Sequence, residues 1–255
     1  KQQQQQAAAA VTKEKKPKQQ HKDLYNDIFL SLQFTLRNGI YQDNGPLPQN
    51  RRDALKDFMQ TLTETLPPTW KIHHMLHALQ RDFNKIARAE TTLEKAVDSY
   101  RPPSNAWTPH CTHGNSFGGY TCGLWELFHV MTIGLVEYNL VVTEKKKYCK
   151  PTMAVADVLR EFVANFFGCE VCQKNFLTEY DSCQFDRCTR LSTTISKKEK
   201  DWRQLALWLW ELHNGVNVRL KNEETQREEQ RDITQEERVA ATWPSTKDCP
   251  TCWRE

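Results

Sequence analysis

The chain has 255 residues, 38% of them apolar, enough for packed cores over most but not all of its length. Thirty-five Lys and Arg against 32 Asp and Glu leave a net charge of +3, which gives no reason to expect a nucleic-acid or membrane-surface partner. Only 9 glycines, few runs of Val, Ile and Thr, and long Leu, Ala, Lys, Glu and Gln stretches argue against a β-rich fold and predict an all-α protein.

Residues 1–22 are dominated by Gln, Ala and Lys, with nothing apolar enough to dock, and are expected to be a disordered linker. Leu24, Ile28 and Leu32 then share one helical face. After the Gly-Pro-Leu-Pro break at residues 45–48, Leu55, Phe58, Met59, Leu62 and Leu66 form a second. Pro67 and Pro68 end that helix, and Trp70 to about Tyr100 predicts one or two more before Pro102 and Pro103. Residues 23–104 thus read as a helix-rich domain. It has no cysteine, and His73, His74 and His77 lack acidic or thiol partners at ligand spacing, so packing or surface roles are expected for them.

A second domain, residues 105–255, carries all nine cysteines. Helices are predicted at Cys122–Val142, Met153–Phe167, Cys169–Tyr180 and Asp201–Leu220, four in number and suited to a bundle, with the charged insert Asn222–Arg238 as an exposed helix or loop. The longest apolar stretch, Ile133 to Val142, is interrupted by Glu137 and Asn139 and falls short of the ~20 residues that span a bilayer. No apolar signal region opens the chain, so any targeting signal is expected outside it.

Two C-x-x-C pairs, Cys169/Cys172 and Cys249/Cys252, indicate redox chemistry, zinc binding or plain structural bridges. Gly168 falls where a helix-ending glycine is expected, so Cys169 is predicted to open a new helix, whose exposed amides favour thiolate there. The flanks are apolar, with Phe166, Phe167 and Phe176 close by, unlike a compact zinc knuckle. Trp125 and His129 stand at i, i+4, and Trp210, His213, Asn214 and Asn217 at i, i+3, i+4, i+7, each set along one helix face. Apolar rings with a few directed polar groups suit a flat, partly polar ligand, and buried amides and imidazoles need partners that a ligand could supply.

The segments G-G-Y-T-C-G-L-W-E-L-F-H (Gly118 to His129), F-F-G-C-E-V-C (Phe166 to Cys172) and L-W-L-W-E-L-H-N-G-V-N-V-R-L (Leu207 to Leu220), with A-T-W-P and C-P-T-C in the tail, resemble Erv/ALR-type flavin sulfhydryl oxidases, and among them the quiescin sulfhydryl oxidases. The resemblance implies an Erv-type four-helix bundle that binds FAD, preceded by a helix-rich, Erv-like, flavin-free domain that makes an internal pseudo-dimer in a monomer. It implies that Trp125, His129, Trp210, His213, Asn214, Val216 and Asn217 contact the FAD and that Trp243 closes the pocket. Cys172 would meet the flavin, while Cys169, the more accessible of the two, exchanges with the electron donor. The implied activity oxidises dithiols of small molecules and reduced client proteins and reduces dioxygen to hydrogen peroxide. A thioredoxin-like domain upstream in a longer chain would supply electrons, in the secretory pathway lumen (ER or Golgi) or after secretion. Three positions depart from the pattern: Gly118, Asn175 and Ala240 stand where an arginine, a histidine and a lysine are common, with Lys221 and Arg238 as possible phosphate contacts or merely solvated charges.

The resemblance also implies a structural bridge between Cys111 and Cys122, and it leaves Cys249 and Cys252 as a secondary C-x-x-C pair. Cys183 and Cys188 are near enough in sequence to bridge and leave Cys149 unpaired, although any two of the three could pair. No metal site is predicted. The competing expectations are a zinc-stabilised module and a catalytically inactive helical binding module.

Overall fold

The computed structural model describes residues 17–42, 45–112, 119–144, 149–196 and 198–244, with side chains from residue 22 onward. No strand occurs among the described residues. The first helix, α1 (Pro17–Asn38), starts inside the stretch expected to be a linker. Its apolar face, Ile28, Leu32 and Leu36, is buried, and the preceding Gln, His and Lys residues are good enough helix formers to extend a helix already nucleated. Then come α2 (Gln49–Thr65), α3 (Ile72–Arg81), α4 (Phe83–Ile86) and α5 (Glu90–Asp98), so Trp70 to Tyr100 holds three helices where one or two were expected.

The short α6 (Pro109–Thr112) leads to α7 (Gly119–Glu144), α8 (Thr152–Phe166) and α9 (Glu170–Asp181). A tight turn at Gln184–Asp186 and α10 (Arg187–Arg190) connect to α11 (Glu199–Glu229), and α12 (Gln235–Ala240) follows. The four bundle helices therefore lie where the periodicity put them. The exception is α11, which runs nine residues past Leu220 through the charged insert, supported by the pairs Arg219–Glu223 and Lys221–Glu224.

Helix α7 is central, packed between α1 and α2 on one side and α11 on the other, while α8 lies against α2, α9 and α11. One apolar core runs without interruption across residue 104: Leu32 and Phe58 belong to the same cluster as Met131, Phe162 and Leu209. The Phe58 and Phe162 rings stack across this seam with centroids 4.1 Å apart. Close backbone approach is part of the packing. A Cβ added to Gly123 of α7 would lie 2.5 Å from the Asp27 carbonyl oxygen of α1, and one added to Gly134 would lie 1.8 Å from that of Thr65 at the end of α2.

Buried polar groups on α1 hold the segment that leads into the bundle. Asn26 donates to the Ala106 carbonyl (3.0 Å) and accepts from the Ser104 amide (2.7 Å), and the fully buried Asp27 accepts from the Thr108 amide (2.9 Å). With these partners the groups are tolerated in the core. They also fix α6, from which Cys111 is bridged to Cys122 in the first turns of α7. Among the first-domain histidines, His73 is buried with Nε2 3.1 Å from the Leu66 carbonyl oxygen, the satisfied packing role expected of it.

Candidate functional site

The Cys169–Cys172 pair sits at the junction of α8 and α9. Phe167 caps α8 in an extended conformation, and Cys169 is the N-cap of α9, its Sγ accepting from the Cys172 amide at 3.3 Å. Gln173 sends its side-chain amide back to the Val163 and Ala164 carbonyls, 2.9 and 3.0 Å away, so the last turn of α8 and the first turn of α9 are locked together. The two sulfurs are bridged. Glu170 and the 71% exposed Val171 lie on the outer side, and a Cβ added to Gly168 would meet nothing within 4 Å, so the solvent approach to Cys169 is open.

Beside this pair lies a cavity of about 1000 Å³ between α7, α9 and α11. Cys172 lines it; Cys169 does not. Trp125, Phe128, Phe167, Phe176, Phe185 and Trp210 give it apolar walls, and Thr121, Asn175, Asn217, Asn222 and Arg238 give it polar points. Among the described residues, neither Asn175 nor Asn217 makes a side-chain hydrogen bond to the rest of the chain, so their amides are available to a ligand.

One end of the cavity is built by a ring stack. Trp125 of α7 and His213 of α11 lie face to face, centroids 4.1 Å apart at 7°, and His213 Nδ1 stands 3.0 Å from His129 Nε2. Asn214 clasps the backbone of Trp243, donating to its carbonyl at 2.9 Å and accepting from its amide at 2.7 Å, while Trp210 Nε1 donates to the same carbonyl at 2.6 Å. The chain beyond α12 is thereby tied down across α11.

Comparison with known proteins rests on this framework. Residues 122–243 match the family model of the Erv1 / Alr family. This segment is an Erv1/Alr domain. It begins at the bridged Cys122 and ends on the Trp243 that Asn214 holds. The chain is similar to Sulfhydryl oxidase 1 of Oryza sativa subsp. japonica, 30% identical over 138 residues, covering 53% of this chain and 21% of that protein. Sulfhydryl oxidase 1 of Gallus gallus is 26% identical over 213 residues, 79% of this chain and 25% of its own. The chain thus spans about a quarter or less of these relatives' length. Among solved structures, the sulfhydryl oxidase fragment of human QSOX1 shares the fold, with a TM-score of 0.63 at 22% identity, covering 90% of this chain and 86% of that one.

Within the Erv1/Alr domain, Trp125, Trp210, His213, Asn214, Val216 and Asn217 line the cavity, whereas His129 and Trp243 do not. His129 meets the cavity-lining His213 from behind, and Trp243, 54% exposed, has its ring 6.3 Å from that of His129. The inference that buried amides and imidazoles call for a ligand is corrected in part: Asn214 is satisfied by the Trp243 backbone, and each histidine faces the other. Cys172 is exposed on the side that opens onto the cavity, and Cys169 is half-buried with its approach from solvent past Gly168 and Val171. Of the two cations considered for the departures at Ala240 and Gly118, Arg238 lines the cavity and Lys221 is tied to Glu224 at 2.8 Å. Asn175 is on the wall, and Gly118, Cys249 and Cys252 lie outside the described residues.

Cys183 and Cys188 are bridged, and Cys149 is buried and free, its Sγ 3.0 Å from Thr143 Oγ1. Two groups of metal-capable side chains occur among the described residues, one with His110 and Glu126 and one with Asp27 and Glu126, and each needs a sulfur of the Cys111–Cys122 bridge. Cys169 and Cys172, which a zinc module would use, are instead bonded to each other. Sequence reasoning missed Phe185, Thr121, Glu179 and Glu211, all on the cavity wall. Glu179 was accessible to it, since it follows Cys172, Asn175 and Phe176 at helical spacing; nothing in the pattern marked Phe185.

Burial pushes His129 down to about 4, and burial together with His129 pushes His213 down to about 3, so both imidazoles are neutral at physiological pH. Only one of the facing nitrogens carries a proton, which fixes complementary tautomers. In the unfolded chain the same groups titrate near 6.5, as ordinary histidines do, so below about that pH the unfolded state binds more protons. Stability is therefore full above about pH 6.5 and declines as pH falls toward the folded values, by up to about 1.4 kcal/mol per pH unit for each imidazole. Denaturant titrations across this window should show that slope in the parent and a flatter one in His129→Gln. An equal slope in both would assign the acid sensitivity elsewhere.

Proposed function

We propose that the chain is an FAD-dependent thiol oxidase, which oxidises dithiols to disulfides and passes the electrons to dioxygen to give hydrogen peroxide. The observation that carries this is a bridged C-x-x-C at a helix N-terminus with one sulfur-bearing residue on the wall of a large aromatic cavity. The donor set fits FAD: planar apolar walls for a ring system, the unengaged amides of Asn175 and Asn217, and the Arg238 guanidinium for phosphate. When bound there, the flavin supplies a two-electron acceptor that dioxygen can reoxidise.

The chain's own residues do the rest. A donor thiolate attacks Cys169 from the open side beside Val171 and expels Cys172 as a thiolate on the cavity wall. The donor's second thiol then attacks the mixed disulfide, releasing the donor as a disulfide and Cys169 as a thiolate. The Cys172 amide and the first turn of α9 stabilise that leaving group. Re-forming the Cys169–Cys172 bond from the two thiolates gives up two electrons, which a flavin held in the cavity would accept and which dioxygen, with two protons, would carry away as hydrogen peroxide. Trp125 and His213 hold one wall rigid through their stack, and the Asn214 clasp keeps the Trp243 segment in place.

Dithiol substrates and reduced client proteins, and a thioredoxin-like domain upstream in a longer chain, are the proposed electron donors. This reading fits the two relatives above, each named sulfhydryl oxidase. The proposed compartment is the secretory pathway lumen or the exterior, where bridged cysteines persist; no described helix is long and apolar enough to cross a membrane. The test is direct: the purified chain should be yellow, release flavin on denaturation and consume oxygen with dithiothreitol, forming one peroxide per disulfide. A flavin-loaded chain that takes up no oxygen would leave the inactive binding module as the answer.

A further inference from the structure

We infer that the loop closed by the Cys183–Cys188 bridge is a clasp that holds Phe185 in the cavity wall, which makes Phe185 a flavin-positioning residue and the bridge its tether. This rests on the flavin reading proposed above. Cys183, Phe185 and Asp186 have φ of 60°, 55° and 57°, in the left-handed region that non-glycine residues seldom occupy. Three such residues in four positions persist only where the surroundings over-determine them.

Several groups supply that constraint. The bridge closes the base of the loop. Beneath it the buried Arg187 donates from Nε to the Tyr180 carbonyl at 2.9 Å and lays its guanidinium 3.8 Å over the Tyr180 ring, capping the end of α9. From α11, Trp208 Nε1 donates to the Gln184 carbonyl at 3.1 Å. Arg190, paired with Glu211 at 2.6 Å, reaches the Phe185 carbonyl at 3.3 Å. The product is a single directed side chain. Phe185 enters the cavity wall against Gly215, so close that a Cβ there would lie 2.8 Å from Phe185 Cζ. Gly215 is thus the notch in α11 that the ring needs.

The bridge does not relay electrons to Cys172. Along α9 the eleven residues from Cys172 to Cys183 span about 16 Å, and disulfide exchange requires sulfur-to-sulfur contact. Its position is suited to shape instead. Cys172 at one end of α9 and Phe185 just past the other bracket a single wall of the cavity, with Asn175 and Phe176 between them.

The test loads the full chain with FAD and measures flavin release on dilution, read as rising flavin fluorescence. The variants are Phe185→Ala, Phe185→Leu, Cys183→Ser/Cys188→Ser and the triple combination with Phe185→Ala. Release is expected to be about tenfold faster in Phe185→Ala and in the double-serine variant. The triple variant should be no faster than Phe185→Ala, since tether and ring act through one contact. Phe185→Leu should recover most of the retention. Release unchanged within about twofold in Phe185→Ala overturns the proposal, as does a triple variant showing the product of the separate effects. Phe185→Ala leaves the bridge intact and so decides the matter even where the double-serine chain fails to fold. A parent that takes up no FAD would overturn the flavin reading itself, an outcome distinct from a parent that binds FAD with no dependence on Phe185.

Discussion

Cys172→Ser and Cys169→Ser each lower dithiol-dependent oxygen uptake by at least about a thousandfold, because either change leaves one sulfur unable to complete an exchange that needs two. The variants fail at different places. With Cys169→Ser the remaining thiol faces the cavity, and with Cys172→Ser it sits at the N-cap of α9, away from the wall. Dithiothreitol can form a mixed disulfide with either survivor, and only the Cys172 sulfur is then on the electron path. The loop closed by this bridge is so short that chain entropy assigns it only about 2 kcal/mol, so both variants should stay folded. Gln173 and the α8 carbonyls keep the α8–α9 junction in place without it. Oxygen-electrode traces paired with melting curves settle the point. Unchanged turnover in either variant removes this pair from the mechanism, and a collapsed melt makes the loss of activity structural.

The features legible in the sequence are those that depend on local chemistry. Periodicity located α7, α8, α9 and the first two-thirds of α11, since an apolar stripe at helical spacing can be buried in few other ways. Gly168 before Cys169 signalled a helix opening on a cysteine, and that cap is what the structure contains. The partners of each stripe were not legible. The histidines and Asn214 read as groups awaiting a ligand, yet His129 is answered by His213 and Asn214 by the Trp243 backbone, contacts 84 and 29 residues apart in sequence. Phe185 was invisible for another reason: its place depends on left-handed backbone at three non-glycine residues, which no local preference encodes. The division at residue 104 followed the helix stop at Pro102 and Pro103, with all the cysteines beyond it, while burial follows apolar surface, which α1, α2, α7 and α8 share.

That shared core makes Gly134→Val a test of how the helix-rich region and the Erv1/Alr domain depend on each other. A Cβ at residue 134 would lie 1.8 Å from the Thr65 carbonyl oxygen and 2.8 Å from its carbon. Backbone cannot rotate aside as a side chain could, so α2 as a whole must retreat from α7. The retreat would draw Leu62 and Phe58 away, and with Phe58 goes the stack on Phe162 of α8, in the helix that leads to Cys169. Overpacking on this scale should destabilise by about 3 kcal/mol, which lowers the melting midpoint by roughly 6–12 °C for a chain of this size. Ile133→Ala, one residue earlier and 55% exposed, should stay within about 0.5 kcal/mol of the parent. Because the core is continuous, the Gly134→Val melt should remain one transition, with flavin release and helix loss moving together. A melt that splits in two, leaving flavin bound after the first step, would show that residues 122–243 stand alone and that α1 and α2 are not needed to keep the cavity closed.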